Sequence, residues 1–306
     1  MDYLIVIIGP TGIGKSRLGL LLAQHYDGEI IGADSRQIYR HMNIGTAKPT
    51  PEELALVPHH MVNIINPDED FSLARYQKLA LQAITGTQQR GKLALLVGGS
   101  GQYVWSIIEG WGIPPVAPDQ PFRQEMEERA ARGEGDELYQ ELARVDPTAA
   151  GRIDKHNLRR VIRALEVQHH TQAPLSRLQS KQAPPFRTLI LGLTADRAEL
   201  YRMIDQRVDR MMADGLVAEV EKLLDMGYGF DLPAMSGIGY KQIGQLLRGE
   251  LTLASAVQQI KNETHRFVRQ QYNWFQPNDK RIKWIDIQNG AESAIAAALS
   301  DFAGDR

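Results

Sequence analysis

The residues Gly9-Pro10-Thr11-Gly12-Ile13-Gly14-Lys15-Ser16 form a complete phosphate-binding loop, which indicates the fold of this chain. An apolar run over residues 4–8, typical of a buried strand, leads into it, and a helical pattern leads out of it. The glycines let backbone N–H groups point inward, Lys15 adds a mobile cation, and the Ser16 hydroxyl can ligate Mg²⁺. The chain is expected to bind a diphosphate or a triphosphate, and whether a nucleotide carries that phosphate stays open.

The composition is that of a soluble globular protein. The chain has 306 residues, 43% of them hydrophobic, with no cysteine and a net charge of −2. No apolar stretch approaches the roughly 20 residues that span a bilayer, so we predict a cytoplasmic protein without membrane contact. Without cysteine there is no disulfide, thiolate nucleophile or zinc finger. A nucleic-acid partner would need a local basic face, and a monomer without an obligatory protein partner is the default expectation.

Strand and helix patterns alternate along much of the chain, which predicts an α/β fold with a P-loop NTPase-like parallel sheet flanked by helices. Strands are predicted at 4–8, 29–33, 93–97, 189–193 and 282–285. Proline-rich breaks at 112–118 and 182–185 enclose a charged, purely helical segment. We therefore predict a core domain from residues 1–115 and 186–306, with an inserted all-helical subdomain at 116–185.

The usual acidic partner of a phosphate loop is missing from the strand predicted at 93–97. That strand ends in Gly98-Gly99-Ser100-Gly101, whereas most phosphate-loop enzymes place an aspartate there to hold magnesium. Asp34 ends the strand before it, and the carboxyl ends of parallel strands meet at one edge of a sheet. Asp34 is thus a candidate general base, or alternatively an N-cap or a support for magnesium. Ser100 is either a helix N-cap or a substrate contact.

A basic face is predicted on a helix over residues 154–169. An apolar stripe of Leu158, Val161, Ile162 and Leu165 lies beside an arc of Lys155, His156, Arg159 and Arg163. Such an arc is either a solvated surface or a contact for nucleic-acid phosphates. A second basic row on a late helix is formed by Lys261, His265 and Arg269. His59 and His60 point in divergent directions without a third ligand, so no metal site is predicted there.

Seven motifs and a final aromatic pair, all in the same order, resemble the tRNA dimethylallyltransferase family, also called tRNA isopentenyltransferase, in its bacterial form. Besides the phosphate loop these are Ala33-Asp34-Ser35-Arg36-Gln37-Ile38-Tyr39, Ile44-Gly45-Thr46-Ala47-Lys48-Pro49, Pro58-His59-His60, Leu96-Val97-Gly98-Gly99-Ser100-Gly101-Gln102-Tyr103, Arg163-Ala164-Leu165-Glu166-Val167, and Gly237-Ile238-Gly239-Tyr240-Lys241-Gln242, followed by the Trp274-Phe275 pair. Together they cover nearly the whole chain.

The resemblance implies transfer of a dimethylallyl group from dimethylallyl diphosphate to N6 of adenosine 37, next to the anticodon of a tRNA. Asp34 would be the general base and Ser100 the partner of the target adenine. Lys15, Arg207 and Mg²⁺ on Ser16 would stabilise the diphosphate. The diphosphate-binding residues would be Gly9, Pro10, Thr11, Gly12, Ile13, Gly14, Lys15 and Ser16. The tRNA-binding residues would be Asp34, Ser35, Arg36, Gln37, Ser100, Arg123, Arg159, Arg160, Val161, Ile162 and Arg163.

Three other functions compete with this interpretation. A small-molecule or nucleoside kinase would use the loop for ATP and Asp34 for an acceptor hydroxyl. An isopentenyltransferase acting on free adenine nucleotides would leave the basic insertion without a task. An RNA-binding module with a nucleotide switch would leave Asp34 and Ser100 without a catalytic role.

Overall fold

A computed structural model describes residues 3–182 and 184–304 of the chain. Its centre is a six-stranded sheet with the order β3-β2-β4-β1-β5-β6, in which every adjacent pair is parallel. The strands are β1 (Tyr3–Ile8), β2 (Gly28–Ala33), β3 (His59–His60), β4 (Leu93–Gly98), β5 (Arg187–Thr194) and β6 (Ile282–Asp286). The predicted parallel α/β fold is confirmed, and all five predicted strands are present.

Helices connect and cover the strands. They are α1 (Lys15–His25), α2 (Pro51–Leu56), α3 (Leu73–Gln89), α4 (Gly101–Ile108), α5 (Gln120–Ala131), α6 (Gly135–Val145), α7 (Pro147–Ala150), α8 (Leu158–Thr171), α9 (Leu175–Leu178), α10 (Arg197–Ala213), α11 (Leu216–Asp225), α12 (Tyr240–Leu247), α13 (Leu253–Trp274) and α14 (Ala291–Gly304), with a 3-10 helix at Pro233–Ser236. Within the described residues, no helix combines the length and the apolar character needed to cross a bilayer.

The chain forms two compact units. The larger comprises Met1–Ile108 and Pro185–Arg306, and the smaller, Glu109–Pro184, contains α5 to α9. The smaller unit begins before residue 116 because the backbone N–H of Gly112 donates to Ser180 O at 2.7 Å, which ties the two ends of the insertion together. Ala183, inside the second proline-rich break, lies outside the described residues.

The core of the larger unit surrounds the central strands. Residues 4–8 of β1 are all at most 3% exposed, as a strand covered on both faces requires. Strand β3, which the sequence pattern did not predict, is only two residues long and pairs with β2. Its histidines have protein partners: His59 Nδ1 lies 2.7 Å from Val57 O, and His60 Nε2 lies 2.7 Å from Glu29 Oε2.

Candidate active site

The phosphate loop lies between β1 and α1, at the carboxyl edge of the sheet. Gly9, Gly12 and Gly14 have φ of 140°, 87° and 99°, a backbone region that only glycine adopts readily. A Cβ on Gly9 would lie 2.5 Å from Leu193 O of β5, so the loop also needs glycine for its close approach to the sheet. The Ile13 side chain is 2% exposed and packs in the core. Ile13 therefore anchors the loop through its side chain, and its backbone N–H donates to Pro10 O at 3.4 Å.

Three ionisable side chains interact beside this loop. Burial lowers the pKa of Lys15 to about 8, although the Asp34 carboxylate raises it, and Arg207 lowers it further. Burial also lowers the pKa of Arg207 on α10, again against the attraction of Asp34. Lys15 Nζ donates to Pro10 O at 2.9 Å. The structure thus brings together two cations and one carboxylate that are far apart in sequence.

Asp34 follows β2 directly and is half-buried. Its Oδ1 accepts from the backbone N–H of Arg36 at 2.8 Å, which fixes the carboxylate in a local turn. The other carboxylate oxygen has no hydrogen-bond partner among residues 3–182 and 184–304. One oxygen is therefore held by the protein and the other can accept a proton from a substrate.

Ser100 joins the ends of β2 and β4. Its backbone N–H donates to Ala33 O at 3.1 Å, and its Oγ accepts from the Ser35 N–H at 3.0 Å. A Cβ on Gly98 would lie 2.1 Å from Ala33 O, so only glycine permits this approach of the two strand ends. The expected convergence of the β2 and β4 ends is present, and the Ser100 hydroxyl already has a positioning role toward Ser35.

Gln271 is a site residue that the sequence reasoning missed. Although it lies on α13, its Oε1 accepts from the Thr11 N–H at 2.8 Å and its Nε2 donates to Gly99 O at 3.0 Å. The side chain is 3% exposed. The available signal was a glutamine in line with the apolar stripe of this helix, between Val268 and Phe275.

The segment after Asp34 is held by its own side chains. Arg36 Nη1 donates to Pro233 O at 3.1 Å, and Gln37 Nε2 donates to Ala47 O at 3.0 Å. Lys48, 8% exposed, donates to Tyr39 O, Asn43 Oδ1 and Asn63 Oδ1 at 2.6, 3.0 and 2.7 Å. Arg36 and Gln37, predicted to contact tRNA, thus also build the loop, and Lys48 is a second residue whose structural role was not predicted.

The basic face predicted on α8 is smaller in the structure. The helix begins at Leu158, because the Asn157 side chain accepts from the Arg160 N–H, so Lys155 and His156 lie before it. The predicted start at residue 154 is wrong. Arg159 and Arg160 are exposed on the helix.

Four further predicted tRNA contacts have other tasks in the helical unit. Arg123 donates to both carboxylate oxygens of Glu166 at 2.8 Å, and Arg163 pairs with the same carboxylate, which is fully buried. Val161 and Ile162 are 0% and 4% exposed in the core. Their side chains cannot contact RNA, because a helix with an apolar stripe buries that stripe. Arg123 and Arg163 stabilise the unit.

The second basic row is also paired within the protein. Lys261 Nζ lies 2.6 Å from Asp209 Oδ1, His265 Nε2 lies 2.9 Å from Asp205 Oδ1, and Arg269 Nη1 donates to the Tyr201 hydroxyl at 2.7 Å. These acceptors share one face of α10, at steps of four residues. The row therefore joins α13 to α10 and is not a free cationic surface.

A dedicated metal cage is absent from the described part of the chain, where no group of three His, Asp or Glu side chains could hold a metal ion. Mg²⁺ on a phosphate substrate usually needs only one or two protein oxygens, with water and phosphate completing its shell. Ser16, exposed in the first turn of α1, can offer one such oxygen.

The fold and the loop at its edge define a protein of the P-loop-type α/β class. The model of the IPP transferase family matches residues 37–278, and the chain belongs to that family. The tRNA dimethylallyltransferase of Dehalococcoides mccartyi is 48% identical over 302 residues, covering 99% of this chain and 93% of that protein. That of Herpetosiphon aurantiacus is 50% identical, covering 91% of this chain and 89% of that protein.

Solved structures agree with this assignment. The full-length tRNA isopentenylpyrophosphate transferase of Bacillus halodurans superposes with a TM-score of 0.73 at 37% identity, covering 99% of this chain and 96% of that chain. A eukaryotic dimethylallyltransferase acting on tRNA superposes with a TM-score of 0.86 at 26% identity, covering 100% of this chain and 80% of that chain. The resemblance drawn from the sequence motifs is confirmed.

Proposed function

We propose that this protein transfers a dimethylallyl group from dimethylallyl diphosphate to N6 of adenosine 37 in tRNA, in the cytoplasm and as a monomer. The observation that carries the proposal is the mutual electrostatic influence of Lys15, Arg207 and Asp34 at the phosphate loop. Two cations suit a diphosphate leaving group, and one carboxylate with a free oxygen suits a proton acceptor. The names of the relatives agree with this chemistry.

The reaction exchanges one bond to the allylic carbon for another. The bond from carbon to the diphosphate oxygen breaks as the bond to adenine N6 forms, and one N6 proton passes to the free oxygen of Asp34. The loop N–H groups that have no partner among the described residues, together with Lys15 and Arg207, stabilise the charge that grows on the diphosphate. Mg²⁺, held by Ser16 and the diphosphate, would neutralise further charge there.

Contacts with the acceptor are proposed for each unit separately. Ser100 is proposed to hydrogen-bond the target adenine, which must leave its stack to reach the donor. Ser35 and the backbone of the 34–37 loop are proposed to contact the flipped base and its neighbours. Arg159 and Arg160, exposed on α8, are proposed to contact phosphates of the anticodon arm.

The test is a transfer assay with unmodified tRNA, dimethylallyl diphosphate and Mg²⁺, followed by digestion and mass spectrometry. Prenylated adenosine from tRNA is the expected product. Transfer to free AMP without product in tRNA would show that the acceptor is a free nucleotide. Phosphate transfer from ATP would show that the protein is a kinase. Either result would overturn the proposal.

Asp34→Asn should lower turnover by ~10²–10⁴-fold, the usual range for general-base assistance, while diphosphate binding persists. The matched control is Asp68→Asn, since Asp68 is an exposed aspartate in the same unit. Normal turnover of Asp34→Asn would remove Asp34 from the role of base.

A further inference from the structure

Gln271 on α13 bonds both to the phosphate loop and to the turn that follows β4. Its carboxamide accepts from the Thr11 N–H in the phosphate loop and donates to Gly99 O in the turn after β4. The two bonds require a hydrogen-bond acceptor and a hydrogen-bond donor at the end of one side chain. Glutamine provides this, whereas glutamate lacks the donor and leucine lacks both groups.

The surroundings leave the carboxamide little freedom. A Cβ on Gly99 would lie 2.3 Å from Gln271 Nε2 and 3.5 Å from Lys15 Nζ, so the turn, the glutamine and the loop lysine pack tightly. The end of α13 is fixed independently. Trp105 Nε1 donates to Trp274 O at 2.8 Å, and a Cβ on Gly101 would lie 2.2 Å from the Trp274 ring. The helix segment that carries Gln271 is therefore held in place by contacts of its own.

We propose that Gln271 is a positioning residue that holds the phosphate loop at a fixed distance from the Gly99 turn. The loop would carry the diphosphate, and the same turn continues into Ser100, the proposed partner of the adenine. Gln271 thereby keeps the donor and acceptor ends of the reaction in register, and its loss weakens diphosphate binding first. This inference rests on the proposed function.

Gln271→Leu tests the proposal with inorganic pyrophosphate and Mg²⁺ as the probe. Loss of two neutral hydrogen bonds should weaken pyrophosphate binding about tenfold in calorimetry and raise the KM for dimethylallyl diphosphate by about the same factor. The Kd for tRNA should stay within about twofold. Gln270→Leu is the matched control, because Gln270 is exposed beside Gln271, and its pyrophosphate affinity should equal that of the wild type. Equal affinity in Gln271→Leu would overturn the inference.

A double-mutant cycle keeps the test decisive if Gln271→Leu folds poorly. In the wild-type background, Gly99→Ala should weaken pyrophosphate binding because the new Cβ pushes the Gln271 carboxamide away. In the Gln271→Ala background, Gly99→Ala should cause little further loss of affinity, because the clashing atom is gone. Independent, additive losses would refute the proposal. Wild-type protein that neither binds pyrophosphate nor modifies tRNA would instead refute the proposed function, so the two failures are distinguishable.

Discussion

Mutation of two arginines four residues apart on α8 should affect different properties: stability for Arg163 and tRNA binding for Arg159. Arg163 pairs with the fully buried Glu166 and donates to Val116 O at 2.9 Å, whereas Arg159 is exposed. Burial alone would raise the pKa of Glu166, but hydrogen bonds from Arg123, the Asp119 N–H and Arg163 lower it to about 2. The carboxylate is therefore charged in the core at neutral pH and depends on these donors.

The expected magnitudes follow from these contacts. A hydrogen bond to a charged group contributes ~1.5–3 kcal/mol, and Arg163→Ala removes one such bond and one to a carbonyl. Since Arg163 is one-third exposed and Glu166 keeps its bonds to Arg123 and Asp119, we expect a loss of about 2 kcal/mol in the free energy of unfolding. Arg159→Ala should change it by less than about 0.5 kcal/mol.

Urea unfolding and salt-dependent tRNA binding together check this prediction. Arg159→Ala should keep the wild-type unfolding midpoint but weaken tRNA binding and reduce the slope of log K against log salt by about one. Arg163→Ala should unfold at lower urea. The reasoning is refuted if Arg163→Ala is as stable as the wild type, or if Arg159→Ala leaves the salt slope unchanged.

Two pH-dependent predictions follow from pKa shifts in the larger unit. Because the pKa of Lys15 is lowered to about 8, its ammonium is lost above that pH, so pyrophosphate affinity should fall as pH rises through about 8. Lys15→Arg should lack this component when both proteins are titrated by calorimetry in the same buffers. Burial would raise the pKa of Glu29, but Arg90 and His60 lower it to about 2. The stability that Glu29 contributes is thus complete above about pH 4.5 and is lost toward pH 2, by at most about 3 kcal/mol. Urea unfolding of Glu29→Gln should show a smaller loss between about pH 6 and pH 3 than the wild type shows.

Local patterns predicted much of the fold because their physics is local. The phosphate loop requires a strand before it and a helix after it, and apolar strand patterns fixed the position of the five longer strands. The predicted start of α8 was wrong because a capping residue can end a helix, here at its N-terminus, before its apolar periodicity ends. Asn157 caps the helix and excludes residues 154–156.

The roles of side chains were predictable where they depend on strand ends and were not predictable where they depend on distant partners. The sequence placed Asp34 at a strand end, and parallel strands bring their carboxyl ends together, so its convergence with the loop was predictable. The role of Arg163 was not, because its spacing to Glu166 is local but the burial of that glutamate depends on Asp119 and Arg123, more than 40 residues away. Gln271 was missed for a related reason, since its two partners lie 260 and 172 residues away.

The phosphate loop and the parallel sheet were predictable from the sequence, because glycine spacing and apolar periodicity act over a few residues, and the lack of an acid after β4 is read directly from it. Which basic side chains stay exposed and which pair with carboxylates inside the protein became clear from the folded structure. Arg159 stays exposed, whereas Arg163 and Lys261 pair with carboxylates of the fold. The physical reason is that the burial of Glu166 beside Arg163, and the presence of Asp209 beside Lys261, depend on distant segments, which sequence periodicity does not encode.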